Sequence, residues 1–165
     1  MNIPRIARHL AMTRRQVDRA FPPPTLLAIE ESLKASETKH AGEIRFAVEG
    51  ALDTVPLFSG QSARERAIDV FSQLRAWDTA HNNGVLIYLL LADRDVEIVA
   101  DRGIHAKVGA REWEAICRDM EAAFTQADYE GGVLGGIQAV TQHLIRHFPV
   151  SGVDQNELPD TPVIL

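Results

Sequence analysis

The chain has 165 residues, 45% of them apolar and 24% charged, with 17 lysines and arginines against 23 aspartates and glutamates. This composition supports one compact domain and excludes wholesale disorder, collagen and coiled-coil fibre. The longest apolar run, Val85 to Ala92, falls far short of the ~20 residues of a membrane-spanning helix and the start lacks a secretory pattern, so a cytoplasmic protein without stable membrane insertion is expected.

Charge is unevenly spread. Residues 1–19 carry Arg5, Arg8, Arg14, Arg15 and Arg19 against Asp18, a local +4; the remaining 12 bases and 22 acids leave −10 elsewhere. An acidic body repels nucleic acid, so no nucleic-acid partner is expected. Cys117 is the sole cysteine, which forbids an internal disulfide.

In chain order, residues 3–19 read as one amphipathic helix with Ile3, Ile6, Leu10 and Val17 near one stripe. Phe21-Pro22-Pro23-Pro24 ends it, because proline lacks an amide donor and restricts its predecessor. Thr25 to Ser36 is a second helix with Leu26, Ile29 and Leu33 inward. Glu43 to Glu49 alternates, with Ile44, Phe46 and Val48 on one side and Glu43, Arg45, Ala47 and Glu49 on the other. That predicts a strand covered on one face near a sheet edge. Gly50 to Gly60 reads as a loop.

Ser62-Ala63-Arg64-Glu65 has the capping-box pattern that satisfies orphan amides at a helix start. The helix is expected to reach Ala80, burying Ala67, Val70, Phe71, Leu74 and Trp77. Asn82-Asn83-Gly84 is a turn into an apolar central strand, Gly84 to Ala92. Asp93-Arg94-Asp95 turns the chain back into Val96 to Asp101, which completes a hairpin. Two helices follow: one carries Trp113, Ile116, Cys117, Met120 and Phe124, the other Ile137, Val140, Leu144 and Phe148. The expected organisation is a basic helical arm over 1–21, an α/β domain over 22–149 and a tail over 150–165 that holds Asp154, Glu157, Pro159, Asp160 and Pro162. The fold class is α/β: a parallel βαβ unit plus an antiparallel hairpin, forming a small mixed sheet between helices.

Familiar motifs are missing. There is no phosphate loop, and Gly131, Gly132, Gly135 and Gly136 do not follow a strand, so no nucleotide cofactor is expected. Those glycines read as close helix packing. Cys117 lies on an apolar helix face and reads as core. His143 and His147 lack the glutamate of a zinc-protease helix and read as helix-surface histidines.

One constellation points to chemistry. Asp78, His81, Asn82 and Asn83 precede the second strand, and Asp101 and Arg102 follow the third, which runs back beside it. Both groups reach the same edge of the sheet, close to Glu43. Carboxylates and amide carbonyls are hard oxygen ligands, so Asp78, Asn82, Asn83, Asp101 and Glu43 are candidate ligands for calcium or magnesium. These types also cap turns. A second acidic group, Glu49, Asp53, Asp93 and Asp95, falls at the opposite edge and reads as a solvated rim.

Arg64-Glu65-Arg66-Ala67, Trp77-Asp78-Thr79, Asn82-Asn83-Gly84-Val85-Leu86-Ile87, Asp93-Arg94-Asp95-Val96-Glu97-Ile98 and Asp101-Arg102-Gly103-Ile104 together resemble the TPM domain. So do Ala41-Gly42-Glu43-Ile44 and Gly131 to Gly135. The family is named after a thylakoid-lumen protein, a photosystem assembly protein and a receptor auxiliary protein. The likeness covers about 25–148 and is nearest to a short bacterial branch without signal peptide or anchor. It implies a Rossmann-like α/β/α sandwich. It also implies links to photosystem repair, receptor modulation, calcium binding or acid phosphatase activity.

Two functions follow as expectations. The first is a binding or accessory module that contacts a protein partner or a second copy of itself, with a divalent ion at the edge. The alternative is a metal-assisted phosphatase. There, Asp78 and Asp101 would hold the ion, Arg102 would grip phosphate through its planar fork, and a metal-activated water would attack. The arm is expected to dock through Ile6, Leu10 and Val17 on the body or on a second copy, with its arginines on body carboxylates, and to bind an anionic membrane surface only weakly.

Overall fold

The computed structural model describes residues 2–152 and 156–165; Met1 and Asp154, counted above with the arm and the tail, lie outside the described residues. The arm is two helices rather than one, α1 (Ile3–Ala11) and α2 (Arg14–Ala20), broken where Met12 is extended and Thr13 forms a capping box with Gln16. α3 (Pro23–Glu37) starts on the proline run, where a missing amide donor costs nothing.

Three strands follow in the expected order: β1 (Glu43–Glu49), β2 (Gly84–Leu90) and β3 (Asp95–Ala100). β1 and β2 are parallel with Glu43 opposite Gly84, and β2 and β3 are antiparallel with Val85 opposite Ala100. Between β1 and β2 lie α4 (Thr54–Ser59), inside the span read as a loop, and α5 (Ala63–Gln73). The Ser62–Glu65 capping box starts α5 as expected. The helix stops well before Ala80, and Trp77 is 47% exposed rather than buried. α6 (Arg102–Val108), α7 (Ala110–Thr125) and α8 (Tyr129–His147) complete the domain; α6 was not foreseen.

The tail supplies a fourth strand, β4 (Val163–Ile164), parallel to β1, and the sheet order is β3-β2-β1-β4. β1 is therefore internal, and all seven of its residues are buried. This corrects the one-faced edge strand. Alternation misled because the polar residues of β1 are covered by the tail and by α5. One side of the sheet packs against α2, α3, α7 and α8 through Phe21, Ile29, Leu33, Met120, Val140 and Leu144. The other packs against α4 and α5 through Leu57, Ala63, Ala67 and Val70. The result is an α/β sandwich. No helix among the described residues is long and apolar enough to cross a membrane.

Candidate functional site

The turn before β2 is shaped residue by residue. Asn82 sits at φ +52°, a left-handed conformation that asparagine tolerates. Asn83 is fully buried, and its Nδ2 donates to Ala41 O at 2.9 Å, tying this turn to the entry of β1. A Cβ on Gly84 would lie 1.8 Å from Ala76 O, so only glycine lets the 74–79 segment close over the strand. Asp101 N donates to Gly84 O at 2.8 Å, which places the end of β3 beside this turn. Asp101 then caps α6, its Oδ1 accepting from Arg102 N at 2.7 Å.

Glu43, Asn83 and Asp101 thus sit at one end of the sheet. Asn83 Oδ1 and Asp101 Oδ2 are buried and receive no hydrogen bond. Asp78 is engaged separately: Arg75 Nη2 lies 2.6 Å from its Oδ2 on the surface. Asn82 presents its main-chain oxygen to Ile104 N at 3.2 Å. His81 and Arg102 are exposed. Among the described residues, no three His, Cys, Asp or Glu side chains are grouped so as to hold a metal ion.

Glu43 belongs to a different arrangement, formed with the tail. Its Oε1 accepts from Glu157 N at 2.9 Å, while the Glu157 carboxylate accepts from Ala80 N at 3.0 Å. Asn156 Nδ2 donates to Glu37 Oε2 at 2.8 Å and to Asp160 Oδ2 at 3.1 Å, and Arg45 Nη1 donates to Pro159 O at 2.9 Å. Glu37, Glu43 and Asp160 face one another, and neighbouring carboxyls satisfy one another only when protons are shared. Burial, then a hydrogen bond with Asp160 and the charge of Glu43, pushes the Glu37 carboxyl up to about 9. Burial also raises Glu43.

The opposite end of the sheet is not simply a solvated rim. Glu49 is buried and takes a two-pronged contact from Arg66, Nε to Oε2 at 2.8 Å and Nη2 to Oε1 at 3.1 Å, with Tyr88 Oη donating at 2.7 Å. The hydrogen bond to Glu49 raises the Arg66 pKa, and burial raises that of Tyr88. Asp93 anchors the arm, paired with Arg5 at 2.8 Å, His9 at 3.2 Å and Arg8 at 3.3 Å. Asp53 is the N-cap residue of α4. Burial and the charges of Glu97, Glu121 and Asp93 lift Asp95 to about 6.

The remaining candidates are structural. Burial pushes the Cys117 thiol up to about 12, which leaves it protonated and a poor nucleophile. The His143 ring packs edge-on to Trp113 at 5.5 Å. A Cβ on Gly136 would strike Met120 Sδ at 2.3 Å and one on Gly132 would strike Phe124 at 2.5 Å, so these two glycines let α8 approach α7 closely, whereas Gly135 faces open space and Gly131 meets Asp128. The sequence reading missed the Glu49–Arg66–Tyr88 network and the tail's hold on Glu43. The signal for both was a strand whose non-core side carries Glu43, Arg45 and Glu49, charges of both signs that need partners once buried.

A profile of the TPM domain matches residues 18–143. The NMR structure of the BA42 protein from the psychrophilic bacterium Bizionia argentinensis is 29% identical and superimposes with a TM-score of 0.75, covering 86% of this chain and 93% of that one. The N-terminal domain of a protein from P. gingivalis is 21% identical with a TM-score of 0.57, covering 73% of this chain and 76% of that one, and shares the fold. No curated protein matches significantly.

Proposed function

The chain belongs to the TPM domain family, and on that premise we propose that it is a binding domain that takes a calcium or magnesium ion beside Gly84 and contacts a protein partner. The observation that carries this reading is two buried oxygens at the same end of the sheet, Asn83 Oδ1 and Asp101 Oδ2, neither of which has a hydrogen-bond donor. An orphaned buried oxygen costs roughly 1–3 kcal/mol, and a hard cation is a ligand that would recover it. Asp101 supplies charge, Asn83 a neutral oxygen, and water completes the shell. Glu43 Oε2 is likewise buried without a hydrogen bond, but Glu43 is turned to Glu37 and the tail and Asp78 to Arg75, so neither belongs to the ion in this reading.

The phosphatase alternative draws on Arg102, exposed next to Asp101. It is disfavoured because Asp78, its second carboxylate, is already paired with Arg75. Calorimetric titration of the protein with calcium and with magnesium tests the proposal. Saturable binding is expected, weakened at least ~10-fold in Asp101→Asn, in keeping with the loss of one charged contact. An absence of heat at millimolar ion, or binding unchanged in D101N, would reject the ion site. Metal-dependent turnover of an aryl phosphate, abolished by D101N and by Arg102→Ala, would replace the binding-domain reading with the phosphatase.

A further inference from the structure

An amphipathic helix on a globular body ordinarily turns its apolar stripe inward. α1 does the reverse over most of its length. His9 is 3% exposed and lies on Asp93, while Arg5 reaches both Asp93 and Gln61 O, the latter at 2.9 Å. Ile6 alone joins the core beneath. The outward side carries Ile3 at 67% exposure and Leu10 at 62%, with Ala7 and Ala11 also exposed. This corrects the expectation that Leu10 packs on the body.

α4 lies beside α1, and just before α4 the Leu52 N donates to His9 Nδ1 at 3.0 Å. It leaves Val55 79% and Phe58 56% exposed. Two neighbouring short helices therefore hold four large apolar side chains in water at one end of the molecule. The same arm carries Arg8 and Arg14, with more than half of each side chain exposed, and the exposed Arg15 and Arg19.

We propose that this end of the molecule is a peripheral docking face for an anionic lipid surface. Exposed apolar side chains beside an arginine-bearing arm fit the boundary between acyl chains and negative headgroups, where arginine keeps its charge in the headgroup layer. Charge selects the lipid surface over a second copy, because two-fold pairing of this face would bring like-charged arms together. The −10 carried outside residues 1–19 repels the rest of the molecule from the same surface and so fixes its orientation. The binding is adsorption and not insertion, and it is sensitive to salt.

The test is co-sedimentation of the full, untagged chain with vesicles of phosphatidylglycerol and phosphatidylcholine, and with phosphatidylcholine alone, at low and high salt. Binding is expected only with phosphatidylglycerol and only at low salt. The double variants Ile3→Ser with Leu10→Ser, and Val55→Ser with Phe58→Ser, are expected to weaken it by ~10-fold or more, since each withdraws two apolar side chains from the interface. These positions are exposed, so circular dichroism should stay unchanged. Failure to bind phosphatidylglycerol overturns the proposal. So does vesicle binding that neither variant weakens. A wild-type dimer in light scattering that the variants dissolve, without vesicle binding, assigns the face to a second copy and also overturns it.

Discussion

His9 Nε2 lies 3.2 Å from Asp93 Oδ2 while its Nδ1 accepts from Leu52 N, so the hydrogen-bond network assigns the ring proton to Nε2, facing the carboxylate. Asp93 also holds Arg5 and Arg8, so one side chain gathers most of the arm's docking chemistry. Burial alone would raise the Asp93 pKa; the contacts from Arg5 and His9 outweigh it and keep the carboxyl below its usual range.

Asp93→Asn should therefore loosen α1. Loss of a partly buried charge that serves three partners is expected to cost about 2 kcal/mol, which lowers Tm by roughly 4–8 °C in a chain of this size. Trypsin should then cut faster at Arg14 and Arg15. Cleavage at the wild-type rate would show that the arm is held by Val17 and Phe21 instead.

Arg66 and Glu49 set a second test. Removing the guanidinium in Arg66→Met leaves a buried carboxylate beside Tyr88, at an expected cost of about 3 kcal/mol. The double variant Arg66→Met with Glu49→Met should recover much of that loss, because it withdraws both charges. Urea denaturation reads both effects. A double variant as unstable as the single one would show that the network contributes shape rather than charge balance.

The tail should respond to pH through Glu37. Its carboxyl is raised to about 9 in the folded chain, against an ordinary value near 4.5. Between those values the folded state holds a proton that the unfolded state has released, so stability falls as pH rises through the window. Tm should decline from pH 5 to pH 9, and Glu37→Gln should flatten that decline. A Tm in the wild type that climbs over this range would contradict the shared-proton arrangement of Glu37, Glu43 and Asp160.

The sequence exposed the sheet's three main strands because β2 is apolar throughout and β3 follows a tight turn. It exposed the start of α5 because Ser62 and Glu65 carry the cap themselves. It hid β4, since Val163 and Ile164 form a two-residue strand whose only reason to be extended is the edge of β1, far away in sequence. It hid the burial of Glu43 and Glu49 for the same reason: their partners, Glu157 N and Arg66, come from the tail and from α5. At the candidate site, the turn residues Asn82, Asn83 and Gly84 stood out by type. Their architectural duties were not legible, because the contact of Gly84 with Ala76 O depends on how the 74–79 segment folds back.

That contact gives a further test. Gly84→Ala should be among the most damaging small substitutions in the chain, because the new methyl meets backbone rather than a movable side chain. Soluble, cooperatively unfolding G84A protein with wild-type Tm would mean that the segment before β2 relaxes freely.

The ion site proposed beside Gly84 is tested most directly by following backbone amide resonances during a calcium titration, repeated with magnesium. The expected result is a saturable set of shifts centred on Asn83, Gly84, Arg102 and Gly103, absent in D101N. Shifts centred instead on Asp95, Glu97 and Glu121, or an unchanged spectrum at millimolar ion, would contradict the account.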